Sequence, residues 1–153
     1  GGEGAPLVPA FHAAMFRDAC SARAVVNIGG IANVTNLPAA GTITGFDCGP
    51  GNLLLDAWTA EQRGEPFDRD GEWARTGSID ETLLARLLAD PFFGRAPPKS
   101  TGREGFNRAW LARHLRGAEA ARDVQATLVA LTARAIAVAR SGPQATSLPS
   151  SES

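Results

Sequence analysis

Hydrophobic and polar positions follow two periods along this chain, and the change between them divides it. Between residues 24 and 47, branched apolar residues gather in three short runs, Ala24 to Ile28 (AVVNI), Ile31 to Leu37 (IANVTNL) and Thr42 to Asp47 (TITGFD). Each has the length and β-branched content of a strand. The first two meet at Gly29-Gly30, which predicts a hairpin, because primed turns need positive φ and glycine supplies it without steric cost. The third ends on a loop of Cys48, Gly49, Pro50 and Gly51.

From Asn52 the period becomes helical. Leu53 with Ala57 and Leu54 with Trp58 stand at i, i+4, and Gly64 closes this helix as a residue just past a C-terminus should. Glu65 to Gly77 is a polar, glycine-punctuated connection with room for one helical turn around Trp73. Ser78 and Glu81 form a capping box ahead of Leu83, Leu84, Leu87 and Leu88, a buried helix face that Pro91 ends. Thr101 and Glu104 form a second box, opening a helix with Phe106, Trp110 and Leu111 inward and Gly117 at its end. The last helix runs from about Arg122 to Arg140, with Val124, Leu128, Leu131, Ala135 and Val138 on one stripe. Ahead of the strands, Phe11, Met15 and Ala19 predict an amphipathic helix over Pro9 to Ala19. Ser141 to Ser153 loses all periodicity and is expected to be a disordered or spurious tail. The predicted organisation is a connection and helix over 1–23, a folded α/β unit over 24–140, and the tail over 141–153.

Composition narrows the classes. The 153 residues, 44% hydrophobic and 20% charged, suit one folded domain or a piece of a larger protein, and Gly1 in place of methionine favours the piece. A formal net charge of −1 with scattered basic residues leaves no electrostatic footprint for nucleic acid or an anionic membrane. No apolar run approaches the ~18 residues that would span a bilayer. Cys20 and Cys48 lie far apart without a CxxC pattern, which fits reduced thiols in a cytoplasmic protein better than a disulfide or a zinc site. His12 has no second histidine or acid at a useful spacing and is expected to be an ordinary helix residue.

Candidate chemistry sits on the glycine turns. A Gly-Gly turn exposes backbone N–H groups, and a CGPG loop between a strand end and a helix N-terminus is where an α/β sheet holds anions, because free N–H groups and the helix dipole point there. Asp47 closes the strand, where a carboxylate can face a metal or water. Lys99 to Glu104 (KSTGRE) adds a cation, two hydroxyls, a guanidinium and a carboxylate within six positions. Each has a plainer reading: a Gly-Gly hairpin is often only a hairpin, GPGN only a tight connection, and KSTGRE only a solvated helix cap.

In order, GGEGAPLVPAFH, NIGGIANVTNL, GFDCGPGNLLLDAW, FDRDGEWARTG, LLADPFF, PPKSTGREGFN and DVQATLVALTARAIA resemble anhydro-N-acetylmuramic acid kinases, from Gly1 to about Ala139. The Ser/Pro tail is outside the resemblance. Glu3 stands where a glutamine is expected, and Cys48 where a threonine is expected, replacing a hydroxyl donor with a weakly donating thiol beside the phosphates.

The resemblance implies a fold of the sugar kinase, actin and Hsp70 superfamily: an incomplete RNase H-like α/β domain with a mixed sheet and flanking helices. It implies a cytoplasmic enzyme, a possible homodimer when intact, that uses Mg-ATP and water to open 1,6-anhydro-N-acetylmuramic acid and phosphorylate it in peptidoglycan recycling. Asn27, Gly29, Gly30 and Asn33 are then the phosphate hairpin, and Asp47, Gly49, Gly51 and Asn52 the neighbouring nucleotide-phosphate loop. Asp47 is an outer-shell candidate for Mg²⁺, and Lys99, Ser100, Thr101, Arg103 and Glu104 are candidates for the sugar. The base is expected upstream of Gly1, so none of these residues inherits it, and this chain alone is expected to be inactive. The alternatives are an inactive nucleotide-binding remnant and another sugar or acetate-type kinase of the same superfamily.

Overall fold

The computed structural model describes residues 23–37, 43–96 and 99–152, the last stretch with side chains to residue 139. The helix expected over Pro9 to Ala19, with His12, lies outside them. Three strands, β1 (Arg23–Ile28), β2 (Ile31–Leu37) and β3 (Thr44–Pro50), form an antiparallel sheet in the order β1-β2-β3. No parallel pair of the expected mixed sheet occurs among the described residues. Alternation along the strands puts Val26, Ile28, Ala32, Val34, Phe46 and Cys48 on one face, where they are buried.

The third strand continues past Asp47, through residues that read as loop. A β-bulge makes this possible: Ala32 pairs with Gly49 and Asn33 with Asp47, so Cys48 has no residue opposite it. Gly49 adopts φ +153°, and a Cβ there would lie 2.8 Å from the Phe93 ring, so glycine is required both by conformation and by space.

The helices follow as α1 (Leu53–Arg63), α2 (Glu72–Arg75) after a 3₁₀ turn at Arg69–Gly71, α3 (Glu81–Leu88), α4 (Pro91–Gly94), α5 (Arg108–His114) and α6 (Ala121–Glu152). Gly64 ends α1 at φ 70°, as the pattern predicts. Both capping boxes are displaced. The side chain of Asp80, not Ser78, accepts the Leu83 N–H, because the Ser78 N–H itself is donated to Asp123 on α6. Asn107, not Thr101, caps α5 by accepting the Trp110 N–H, and residues 101–106 form turns instead of helix.

The last helix is longer than its apolar stripe. Its backbone stays helical to Glu152, past the predicted end near Arg140 and through the segment expected to be disordered.

Helix α6 serves two cores. Its first half, with Val124, Leu128 and Leu131, joins Leu54, Trp58, Leu83, Leu87, Phe92, Phe106, Trp110 and Leu111 in a helical layer. Farther along, Ala135, Ile136 and Ala139 cover the apolar face of the sheet, and Phe93 packs against both cores. The indole groups of the helical layer are matched, Trp58 Nε1 donating to the Ala121 carbonyl at 2.8 Å and Trp110 Nε1 to Asp90 at 2.7 Å, whereas Gln125 Oε1 and Arg108 Nη1 are buried without a hydrogen-bond partner among the described residues.

Candidate functional site

With one face of the sheet under α6, the other carries the polar residues of the alternating pattern. Asn27 pairs with Asn33 across β1 and β2, and Asn33 pairs with Asp47 across β2 and β3. These three side chains therefore form a cross-strand row on the face away from α6. Asn27 is exposed and the other two are half-buried. The predicted residues Asn27, Asn33 and Asp47, drawn from three separate strands, are thus neighbours.

The glycine turn beside this row is built differently from the sequence expectation. Neither Gly29 nor Gly30 has positive φ, and the last paired position is Ile28 with Ala32, so the connection is three residues long with Gly30 at its centre. A primed two-residue turn is therefore absent, and the carbonyls of the turn take on a specific task. The Gly30 carbonyl accepts from the N–H of Gly51 at 2.8 Å and of Leu53 at 3.1 Å, and the Gly29 carbonyl from the N–H of Asn52 at 2.9 Å. The hairpin thereby caps the start of α1, using amides that the sequence reading reserved for an anion.

A Cβ on Gly51 would lie 2.2 Å from the Gly29 carbonyl oxygen, so glycine at 51 is a condition of this close approach. From below, Thr132 of α6 donates its hydroxyl to the carbonyls of Pro50 at 2.8 Å and Gly51 at 3.2 Å. The N–H groups of Gly29 and Gly30 remain without a hydrogen-bond partner among the described residues. With Gly30 exposed, they are the backbone donors still open to an anion. Asn52 ends the loop without a side-chain cap, leaving its amide uncommitted to the helix.

The Lys99 to Glu104 segment comes to this site through Asp47. The Asp47 N–H donates to the Lys99 carbonyl at 3.1 Å, and Asp47 Oδ2 accepts the Thr101 N–H at 2.8 Å. Lys99 turns the other way, donating from Nζ to the Phe92 carbonyl at 3.1 Å with the Phe92 ring centroid 4.6 Å away. Burial there holds its pKa below the ordinary lysine value. One N–H of the Lys99 ammonium is thus directed to α4. Arg103 and Glu104 are exposed on the outer turn, and Arg103 has no partner among the described residues.

Cys48 does not face this site. It is 1% exposed within the core under the sheet, and burial pushes its thiol up to about 12. A neutral core thiol replaces the expected donor beside the phosphates. Among the described residues no group of three His, Cys, Asp or Glu is placed to hold a metal ion. Asp47 is the carboxylate of the polar row, and its Oδ2 is engaged by Thr101. A cleft of about 520 Å³ lined by Arg63, Asp68, Arg69, Trp73 and Arg122 lies elsewhere, and no predicted site residue lines it.

Thr132 is the functional neighbour that sequence reasoning missed. It interrupts an apolar stripe one turn after Leu128, and a polar residue in such a stripe is the signal that would have marked it.

The family model for anhydro-N-acetylmuramic acid kinase matches residues 1–148, beyond the Ala139 at which the motif resemblance stops. The chain is 59% identical over 142 residues to the anhydro-N-acetylmuramic acid kinase of Cupriavidus pinatubonensis, covering 90% of this chain and 38% of that protein. It is 59% identical over 138 residues to that of Pseudomonas paraeruginosa, covering 89% and 38%. With that of Cupriavidus metallidurans it shares 54% over 154 residues, covering 95% and 40%. The chain therefore spans about two fifths of the length of these curated relatives. On that match it belongs to the anhydro-N-acetylmuramic acid kinase family.

Proposed function

We propose that this chain supplies the phosphate-facing part of the second RNase H-like domain of a kinase that acts on 1,6-anhydro-N-acetylmuramic acid. In that reaction water attacks the anomeric carbon, the bond from that carbon to O6 breaks, and O6 takes the γ-phosphoryl group of ATP. The products are N-acetylmuramic acid 6-phosphate and ADP. The observation that carries the reading is the polar row Asn27–Asn33–Asp47, which stands beside the open N–H groups of Gly29 and Gly30.

The residues present fit a nucleotide phosphate. Two unpartnered glycine amides, two carboxamides and the uncommitted Asn52 side chain are donors of the kind phosphoryl oxygens require, and no Cβ screens the turn. The fit to Mg²⁺ is narrower. Asp47 has one carboxylate oxygen outside its bond to Thr101, enough for a water of a hydrated ion and too little for a cage, so an outer-shell contact is the role it can take. When bound, the ion would neutralise charge on the transferred phosphoryl group. Lys99, Ser100, Thr101, Arg103 and Glu104 are the sugar-side candidates, with Ser100, Arg103 and Glu104 exposed. A cytoplasmic enzyme fits the buried reduced thiol, and no helix among the described residues is long and apolar enough to cross a membrane.

No residue of this chain is assigned the base that activates water, so the chain alone is expected to give no turnover. The test is ADP release with the anhydro sugar, run on this chain and on the intact kinase, beside calorimetry of Mg-ADP on both. Sugar-dependent turnover by the intact protein alone supports the reading. Turnover by this chain at roughly 1 s⁻¹, a normal enzyme rate, overturns it. Binding of nucleotide by an intact protein that never turns over would identify an inactive remnant.

A further inference from the structure

The contacts of Asp47 extend beyond the phosphate row. Its N–H and its Oδ2 hold the Lys99 carbonyl and the Thr101 N–H, so the open edge of β3 takes up the 99–101 segment with one backbone bond and one carboxylate bond. On either side that segment is fixed by unrelated elements. Lys99 is tied to α4 through the Phe92 carbonyl, and Phe106 is buried in the helical core. The turn between them folds back on itself: the N–H groups of Gly105 and Phe106 both donate to the Gly102 carbonyl. A Cβ on Gly105 would lie 2.4 Å from Thr101 Oγ1. Where Thr101 sits therefore sets where the turn bearing Arg103 and Glu104 points.

We infer that Asp47 is a positioning residue: through the Thr101 N–H it fixes the 101–105 turn, and with it Arg103, relative to the phosphate-facing row. This rests on the kinase reading for what the two surfaces hold, but the clasp itself is a property of the chain. A hydrogen bond from an amide to a carboxylate needs an acceptor at that position more than it needs charge, whereas a contact with a hydrated metal needs the charge. The two roles separate on substitution.

The experiment uses the intact kinase with Asp47→Ala, Asp47→Asn and Asp47→Glu, measuring KM for the anhydro sugar and for ATP, and amide hydrogen exchange across residues 99–104. Loss of the acceptor in Asp47→Ala is expected to raise the sugar KM about tenfold or more, the loss of one hydrogen bond to a charged group, beyond any change in ATP KM or kcat that Asp47→Asn shares through the lost charge. Protection of the Thr101 amide is expected to fall with it. Asp47→Asn, which keeps an acceptor, is expected to restore both. Asp47→Glu keeps the charge but displaces the acceptor, so it is expected to raise the sugar KM as well, and it covers the case in which the alanine variant fails to fold. The inference is overturned if Thr101 protection is the same in all foldable variants, or if Asp47→Asn is as damaging as Asp47→Ala with the loss in kcat. Absence of sugar turnover in the unsubstituted protein would refute the kinase reading and leave the exchange measurement to decide the clasp.

Discussion

Two loops meet at the same end of this sheet and are held by opposite means. The Pro50 to Leu53 loop is sewn to the glycine turn by three backbone hydrogen bonds and to α6 by a buried threonine hydroxyl. Among the described residues, the 99–105 segment is hydrogen-bonded to the sheet through Asp47 and is otherwise held at its ends. Backbone bonds between closely approaching glycines fix a loop whatever the surrounding charge. A single carboxylate fixes one only while it is present and free to accept. The first arrangement is rigid by construction, and the second can shift with one side chain.

The sharpest way to break this comparison is Gly51→Ala. The added methyl would overlap the Gly29 carbonyl, so the stitching must open, and the expected result is loss of a cooperative melting transition in the intact protein. Thr132→Val keeps the shape but strands the Pro50 carbonyl in the core, with an expected loss of about 1–3 kcal/mol in denaturant unfolding. A smaller effect tests the other loop. Lys99→Met keeps the apolar stem over Phe92 but removes the ammonium, and an expected loss of about 0.5–1 kcal/mol would show that the segment's outer anchor is weak. Gly30→Ala should be neutral or stabilising by up to about 1 kcal/mol, since a Cβ there meets only Leu53 at 3.8 Å and φ is not positive. Any fall in Mg-ADP affinity in that variant then reports directly on room above the turn.

A pH titration sharpens the stitched side further. The Cys48 thiol has its pKa raised from 9.0 to about 12 in the fold, mainly by burial. The native state therefore holds this proton more tightly than the unfolded chain does. Its contribution to stability is complete below pH 9 and is lost as pH rises from there through about 12. Denaturant midpoints should fall across that window in the parent and fall less in Cys48→Ala; equal slopes would place the thiol outside the core.

Much of this was legible in the sequence, and the failures have physical causes. Period alone located all three strands and the helices that bear Trp58, Leu84, Trp110 and Leu128, because each buries one face. It ended β3 too soon, since a bulge at Cys48 breaks the two-residue period and Gly-Pro reads as loop. It placed two caps wrongly because Ser78, Asp80, Thr101 and Asn107 are all competent; at the first the Ser78 N–H goes to Asp123, 45 residues away, and at the second Asn107 takes the Trp110 N–H. The pattern picked out the turn glycines but not the contacts each one makes. Gly51 is needed for close approach, whereas Gly29 and Gly30 act through carbonyls, and nothing in a one-dimensional pattern separates those uses. Asn27 and Asn33 came from family resemblance, and their adjacency to Asp47 needed the register.

The division of α6 between two cores also sets an order of assembly. Thr132 reaches Pro50 across 82 residues of chain, and the residues that cover the sheet come later still. At synthesis rates of about 5–20 residues per second, roughly 4–16 s separate the emergence of the sheet from that of its cover. During that interval Val26, Val34, Phe46 and Cys48 have no partner from α6. On ribosomes stalled at successive lengths, Cys48 should react with a thiol reagent until residues 132–139 have emerged, and then become protected in a single step. The long helix thus arrives well after the sheet, and a dry sheet depends on it.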